Sequence, residues 1–408
     1  MKILVLNSGS SSQKSSLFDF GASLPDSPPA PLWEGNLEWQ GERANFEVKN
    51  SAGIIQKEEL IVTARAKATA HLLDALTSGK AGVLSNKSEI AVVGHRIVNG
   101  GRDYARPVIV TPEVKAAIQR MAVFAPLHNR VELEGIRLIE EKFGAIQQVA
   151  VFDTAFHSTL PDAAFVYPGP YEWLSQGLRR FGFHGINHQY CAQRTAQLLR
   201  KDLSSLRLVT CHLGNGCSLA AIQRGKSIDT TMGFTPLDGL MMGTRSGSVD
   251  PGILTYLMRA QNLSGETLDD LLNKKSGLFG ISGISGDMRQ IVSEMNKGND
   301  RAKLAFNIFV HRLQAGIGAM VAALGGLDAL VFTAGIGENS AEVRQAACAN
   351  FNFLGLQLDP EKNASSHPDR EISTPSSSVR ALVVQAQEDW AIARETWKLA
   401  QPQKVTQN

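Results

Sequence analysis

The sequence predicts an α/β protein built as two lobes of related topology with a cleft between them. Three observations predict it. At 408 residues the chain exceeds what one hydrophobic core supports, so two or three domains are expected. A strand, a glycine turn and a returning strand occur at the N-terminus and again about half a chain later, near residue 206. Each copy is followed by alternating helices and strands, the pattern of a sheet covered by helices.

The first lobe opens on Ile3-Leu4-Val5-Leu6, which reads as a buried strand, with Asn7-Ser8-Gly9-Ser10-Ser11-Ser12 as a polar turn and 16–20 as the return. Residues 21–31 form a surface excursion rich in proline. Strands over 33–39 and 45–48 follow, then a helix over 63–76. Residues 90–93 form a central strand running into Gly94-His95-Arg96, helices cover 112–123 and 129–143, and a strand over 148–152 ends on Asp153. The second lobe repeats the opening with a strand at 206–211, the turn His212-Leu213-Gly214-Asn215-Gly216, and strands at 217–223 and 227–230. Helices are expected over 251–260, 267–273 and 300–324, with a loop at 277–287. The strand 329–333 leads through Gly335-Ile336-Gly337-Glu338 into a helix with Asn339 as N-cap and Glu342 completing the cap. A strand at 381–384 and a helix at 388–399 close the chain and return to the first lobe. The lobes are therefore drawn as 1–153 plus 381–408, and 154–380.

Composition narrows the class. Hydrophobic content is 43%, and 41 Lys and Arg against 39 Asp and Glu leave a formal charge of +2, so no nucleic-acid or membrane partner is expected. The apolar run 313–327, bounded by Arg312 and Asp328, is too short for a membrane span and reads as a buried helix. Cys191, Cys211, Cys217 and Cys348 lack disulfide or C-x-x-C spacing, and Met1–Ser12 holds no signal-peptide core, which points to the cytoplasm.

Residues 230–252, TTMGFTPLDGLMMGTRSGSVDPG, stand out. Glycine and proline exclude a regular helix, yet Met232, Phe234, Leu237, Leu240, Met241 and Met242 are wasted on a solvated loop. A lone Arg245 between Thr244 and Ser246 gives it the character of an anion site. The turns at 7–12 and 212–216 have the form of phosphate cradles, in which backbone amides meet phosphate oxygens; each alone would be a hairpin, and Gly335–Asn339 at a helix start is a third. None is a Walker motif: Arg224-Gly225-Lys226-Ser227 has Ala220 in place of the first glycine. Arg96 at the end of a buried strand requires an anion, because burying an unpaired guanidinium costs several kcal/mol. Arg96 and Arg245 together suit an anionic substrate and a transferring phosphoryl group. Asp153 at a strand end could hold a metal, orient a catalytic group or cap a turn. His184, in Phe181-Gly182-Phe183-His184-Gly185, is either a satisfied core histidine or a functional one. His188 four residues on has no intervening Glu in H-E-x-x-H register, so zinc is not indicated. Glu388 and Asp389 start a helix, where its dipole favours negative charge.

Seven blocks in order resemble acetate kinase, of the acetokinase family of short-chain carboxylate kinases. They are Asn7 to Ser12 with Lys14, Gly94 to Gly101, Phe152 to His157, Phe181 to Gly185, His212 to Gly216, Met232 to Pro251, and Gly335 to Asn339. The resemblance implies an actin- and hexokinase-like fold (the acetate and sugar kinase superfamily), a homodimer, and the reaction ATP + acetate ⇌ ADP + acetyl phosphate with Mg²⁺ or Mn²⁺. By motif match, Asn7 and Arg245 would contact the phosphoryl group, Arg96 the substrate carboxylate, and His184 the transferring phosphoryl, with Asp153 a catalytic carboxylate. Lys14, His212, Leu213, Gly214, Asn215, Gly216, Asp287, Met288, Arg289, Gly335, Ile336, Gly337, Glu338 and Asn339 would bind ATP. Glu388 and Asn7 would hold the metal. Val98, Leu127, Phe183 and Pro236 would form a small methyl pocket that favours acetate over propionate or butyrate.

Three departures from the family pattern stand out: Ser248 where Asp is usual, Ala386-Gln387-Glu388-Asp389 for Thr-Asn-Glu-Glu, and Gln13 for Leu. The rival readings are a propionate or butyrate kinase, a non-catalytic ATP-binding protein of the same fold, and a metal hydrolase using His128, His157, His184 and His212.

Overall fold

A computed structural model describes residues 1–9, 12–62, 64–122, 129–365 and 367–401. The expected pocket residue Leu127 lies outside the described residues, as do Ser10, Ser11 and His128. The chain divides into two compact units, Met1–Ala155 with Gln387–Asn408, and Phe156–Ala386.

The first unit is an eight-stranded mixed sheet. Its strands are β1 (Lys2–Ser8), β2 (Ser12–Asp19), β3 (Trp33–Gln40), β4 (Arg43–Asn50), β5 (Ile55–Ile61), β6 (Ile90–Ile97), β7 (Val108–Ile109) and β8 (Gln147–Phe152), in the order β5-β4-β3-β2-β1-β6-β8-β7. β1 pairs antiparallel with β2 and parallel with β6, and β6 is parallel to β8. Near-continuous Val, Ile and Leu in these central strands match their near-complete burial, whereas β3 and β4 alternate. Trp33, Leu37, Phe46, Leu72 and Leu73 fill the core on one side. The helix Glu388–Ala400 packs against β1, β6 and β8 through Trp390, Ile392 and Thr396. It approaches so closely at Gly94 that a Cβ there would stand 2.3 Å from the Thr396 hydroxyl.

The second unit is a six-stranded mixed sheet of β9 (Arg207–Leu213), β10 (Cys217–Gln223), β11 (Lys226–Thr230), β12 (Ala329–Thr333), β13 (Arg370–Glu371) and β14 (Arg380–Val383), in the order β11-β10-β9-β12-β14-β13. The helix Asp300–Leu324 is, among the described residues, the one long and apolar enough to cross a membrane by length and composition. Ala305, Phe309, Leu313 and Ile317 of that helix are buried, and it packs on β10, which makes it a core helix.

Four expectations need correction. The closing strand does not return to the first sheet: β14 runs parallel to β12 in the second, with Leu330 opposite Ala381 and Phe332 opposite Val383. Only the last helix rejoins the first unit, so the boundaries fall at 155 and 386 rather than 153 and 380. Within the expected loop 277–287, Gly277–Ser282 forms a short helix. The N-cap of the helix Ala341–Cys348 is Ser340, whose hydroxyl accepts from the Val343 amide, while Asn339 ends the preceding turn by donating to the Gly335 carbonyl. The fifteen-residue helix Gly185–Leu199 was not anticipated: its first turn carries no acid and no side chain caps it.

Candidate active site

In each unit the candidate residues gather where parallel strands end, the position at which open α/β sheets bind ligands. In the first unit β1, β6 and β8 deliver Asn7, Arg96 and Asp153 there. Arg96 Nη2 donates to Asp153 Oδ2 at 2.6 Å, and the pair is nearly dry, with Arg96 12% and Asp153 0% exposed. Nη1 of Arg96 donates to the Ser8 carbonyl at 3.3 Å, and its Nε is buried without a partner among the described residues. Burial opposes the charge on Arg96, but Asp153, Glu388 and Glu132 more than offset it and hold its pKa above the ordinary value. Val98 is buried beside it, its amide donating to Glu132 Oε2 at 3.0 Å. Glu132 was not anticipated; in sequence it sits at a helix position where an acid usually faces water. Burial pushes its carboxyl up to about 8, against the pull of Arg96 and the Val98 amide.

The amide of Asn7 donates to Glu388 Oε2 at 3.3 Å and Asp389 Oδ1 at 2.9 Å, and Asp389 Oδ2 accepts from Ser16 at 2.6 Å. Both acids occupy the first turn of a helix with no side-chain cap, so its amides add positive potential around them. One or two carboxylates beside open space, with phosphate and water completing the shell, is the donor set Mg²⁺ takes, and Glu388 with Asp389 fits it. Asp389 was read in the sequence only as a dipole partner; its contact to Asn7 makes it part of the group. Lys14 is exposed opposite Asn7 in the β1–β2 register.

The second unit holds two clusters. One surrounds Gly216, the last residue of the turn after β9. A Cβ at Gly216 would stand 3.4 Å from Arg245 Nη1 and 3.5 Å from Cε1 and Nε2 of His184, so a guanidinium and an imidazole edge meet on bare backbone. Arg245 donates to the Pro236 carbonyl at 3.2 Å and, among the described residues, has no carboxylate partner. Burial lowers its pKa from the ordinary value, offset only by Cys217. His184 adopts a left-handed backbone (φ 57°, ψ 23°) at the head of the helix Gly185–Leu199, and its ring stacks on His212 at 3.9 Å. His212 Nδ1 in turn accepts from Asn187 at 2.8 Å. Residues 231–250 are irregular, as their composition requires, and the buried Met232, Leu240, Met241 and Met242 anchor them. The loop is further tied by the Gly243 amide to the Asn215 carbonyl and the Ser246 amide to that of Leu272. Ser248 donates to Asp238 Oδ1 at 2.5 Å and accepts from the Gly239 amide at 3.0 Å. Phe183 is buried and Pro236 half-buried.

The other cluster lines a cavity of about 780 Å³, large enough for a nucleotide. Gly214, Asn215, Asp287, Met288, Arg289, Gly335, Ile336 and Asn339 line it, eight of the residues expected to bind ATP. Gly286, Val292 and Ser340 line it as well and were missed, and Glu342, read in the sequence only as a cap residue, joins them. Glu338 and Gly337 do not line it. Glu338 Oε1 accepts from the Ala334 and Ala386 amides at 2.9 and 2.8 Å, bracing the turn instead, and Gly337 is buried against β9 and β12. His212, Leu213 and Gly216 are likewise absent from its wall, the first and last belonging to the His184 cluster.

The acetokinase family model matches residues 2–394. The chain is 60% identical over 403 residues to the acetate kinase of a Cyanothece species, covering 98% of this chain and 99% of the relative. The acetate kinase of a Nostoc species is 57% identical over 402 residues, with 98% and 99% covered. Among solved structures, the acetate kinase of Porphyromonas gingivalis superposes with a TM-score of 0.89 at 40% identity, and a propionate kinase of Francisella tularensis with 0.88 at 37%, each over 98% of this chain and 99% of the other. With both the family model and these relatives spanning nearly its whole length, the chain belongs to the acetokinase family.

Proposed function

We propose that the protein is a Mg²⁺-dependent acetate kinase that transfers the γ-phosphoryl group of ATP reversibly to acetate, giving acetyl phosphate and ADP. The observation that carries the reading is the meeting of the Arg245 guanidinium and the His184 edge on the bare backbone of Gly216. A carboxylate substrate with a pKa of about 4 is ionised at neutral pH, so it needs no general base. What the reaction needs is relief of repulsion between two anions and stabilisation of charge on the transferring group.

Arg96, held rigid by Asp153, is assigned to the acetate carboxylate, and Asn7 to the phosphoryl group. Arg245 and His184 donate to the equatorial phosphoryl oxygens. The cavity lined by Asn215, Asp287, Ile336 and Asn339 is assigned to ATP. Glu388 and Asp389 would hold Mg²⁺, which when bound neutralises charge on the polyphosphate. The preference for acetate rests on the bulk of Val98 and Phe183. One methylene is worth about 1–3 kcal/mol, so propionate should react slowly.

Helix Pro251–Ala260 buries none of its residues and leaves Ile253, Tyr256 and Met258 50%, 59% and 47% exposed. Apolar exposure on this scale supports a homodimer joined through that helix. Four buried free thiols suit a reducing cytoplasm.

The test is to trap acyl phosphate with hydroxylamine across acetate, propionate and butyrate, with and without Mg²⁺. Hydroxamate is expected fastest from acetate and only with the metal. No product from any acid would remove the kinase reading, and a higher kcat/KM with propionate or butyrate would remove the pocket assignment.

A further inference from the structure

Behind His184 lies a chain of buried hydroxyls and imidazoles that none of the steps above uses. Thr210 on β9 and Ser218 on β10 lie on one sheet face, because Thr210 pairs opposite Ala220, and Ser218 opposite His212. The helix Gly185–Leu199 packs on β9, and His188 stands one turn beyond His184. Ser218 Oγ is 2.8 Å from His184 Nδ1 and 2.8 Å from His188 Nε2, and His188 Nδ1 is 2.7 Å from Thr210 Oγ1. Thr210, Ser218 and His188 are all fully buried.

A serine hydroxyl carries one proton. Ser218 can therefore donate to one of these imidazoles only if it accepts from the other. Burial, reinforced by the neighbouring His157 and His212, holds the pKa of His188 well below its ordinary value, so His188 carries a single ring proton. Two orderings satisfy every member. In one, Thr210 donates to His188 Nδ1, His188 Nε2–H donates to Ser218, and Ser218 donates to His184 Nδ1. That leaves the His184 proton on Nε2, the atom on the ring edge facing Gly216 and Arg245. In a neutral ring the reverse ordering strips Nε2 of its proton and presents a lone pair to phosphoryl oxygens, which repel it.

We propose that Ser218 and His188 are positioning residues, which with Thr210 hold His184 as the Nε2–H tautomer so that its donor and that of Arg245 point at the same place. The proposal rests on the kinase reading for its consequence but not for its structure. The relay acts through His184 alone and touches no substrate.

The experiment uses the full chain with ¹⁵N-labelled histidine. Two-bond ¹H–¹⁵N correlations report which nitrogen of His184 is protonated, the resonance being assigned by its loss in His184→Asn. The unmodified protein is expected to show Nε2–H, and Ser218→Ala a mixture or Nδ1–H. In the hydroxamate assay Ser218→Ala should lose about tenfold or more in kcat, on the lower side of general acid–base contributions, with KM for ATP and acetate within about twofold. Ser218→Thr, which keeps the hydroxyl, should recover both signals. Thr210→Val, nearly isosteric, should shift the tautomer in the same direction and serves if Ser218→Ala does not fold. An unchanged tautomer in Ser218→Ala or Thr210→Val, or an unchanged kcat in Ser218→Ala, overturns the relay. A wild-type protein that makes no hydroxamate overturns the kinase reading instead, and the tautomer measurement still decides the relay.

Discussion

Replacing Arg96 with alanine tests the first unit's site at its most constrained contact. The guanidinium sits 2.6 Å from a carboxylate that is 0% exposed. Removing it breaks a buried ion pair, a loss of about 3–5 kcal/mol. For a unit of this size each kcal/mol shifts Tm by about 2–4 °C, so its transition should fall by about 6–20 °C in a calorimetric scan. In the hydroxamate assay Arg96→Ala should lose at least about a hundredfold in kcat/KM, the scale of one lost oxyanion donor. Stability and chemistry are then separated by Arg96→Met/Asp153→Leu, which removes both charges. That variant should regain most of the lost Tm, because a buried pair and an apolar substitute are often equivalent, and regain none of the activity. Arg96→Ala melting at the wild-type temperature, or a double variant as unstable as the single, would refute the account of a broken buried pair. Near-normal activity in either would sink the assignment to the substrate carboxylate.

Three further outcomes are expected. Ser248→Asp restores the residue usual in the family but sets a second carboxylate against Asp238, now 2.5 Å from the serine hydroxyl; repulsion at this exposed site is worth about 1 kcal/mol, so kcat should fall roughly fivefold, and less in high salt. A gain in kcat would contradict this. Glu132 titrates from an ordinary 4.5 to about 8 in the fold, so the folded state binds the extra proton between those values and stability falls as pH rises through them. Glu132→Gln should cancel that slope, its Tm gaining on wild type from pH 5 to 8, and a constant difference would show that Glu132 does not titrate there. Tyr256→Glu should give a monomer by light scattering with unfolding little changed; a persistent dimer would place the interface elsewhere.

Much of this was legible because parallel strands announce themselves as apolar runs ending in polar residues. Asn7, Arg96, Asp153 and the 212–216 turn could all be located that way. Arg245 was found by exclusion, as a cation in a loop too apolar for solvent. What escaped has physical reasons. β5 is exposed on both faces and carries no alternation. Helix Gly185–Leu199 starts on a left-handed histidine, a conformation no residue type advertises; Asn187 was lost with it, and His188 was weighed only as a zinc ligand. Glu338 stands in a motif yet turns inward onto two amides, one of them 48 residues away, and linear spacing cannot reveal such a partner. The destination of β14 was missed because a short apolar run suits either sheet equally.

That strand and the helix after it carry a consequence for synthesis. β1, β6 and β8 leave the ribosome well before the helix that covers them, Glu388–Ala400. At about 5–20 residues per second, the roughly 230 residues between take on the order of ten to fifty seconds. Through that interval the first sheet has one apolar face bare, while the second unit can complete itself from contiguous chain. The nascent protein is therefore vulnerable in its first-made half and secure in its second. A stop codon just before Glu388 would cost the N-terminal unit, not the C-terminal one.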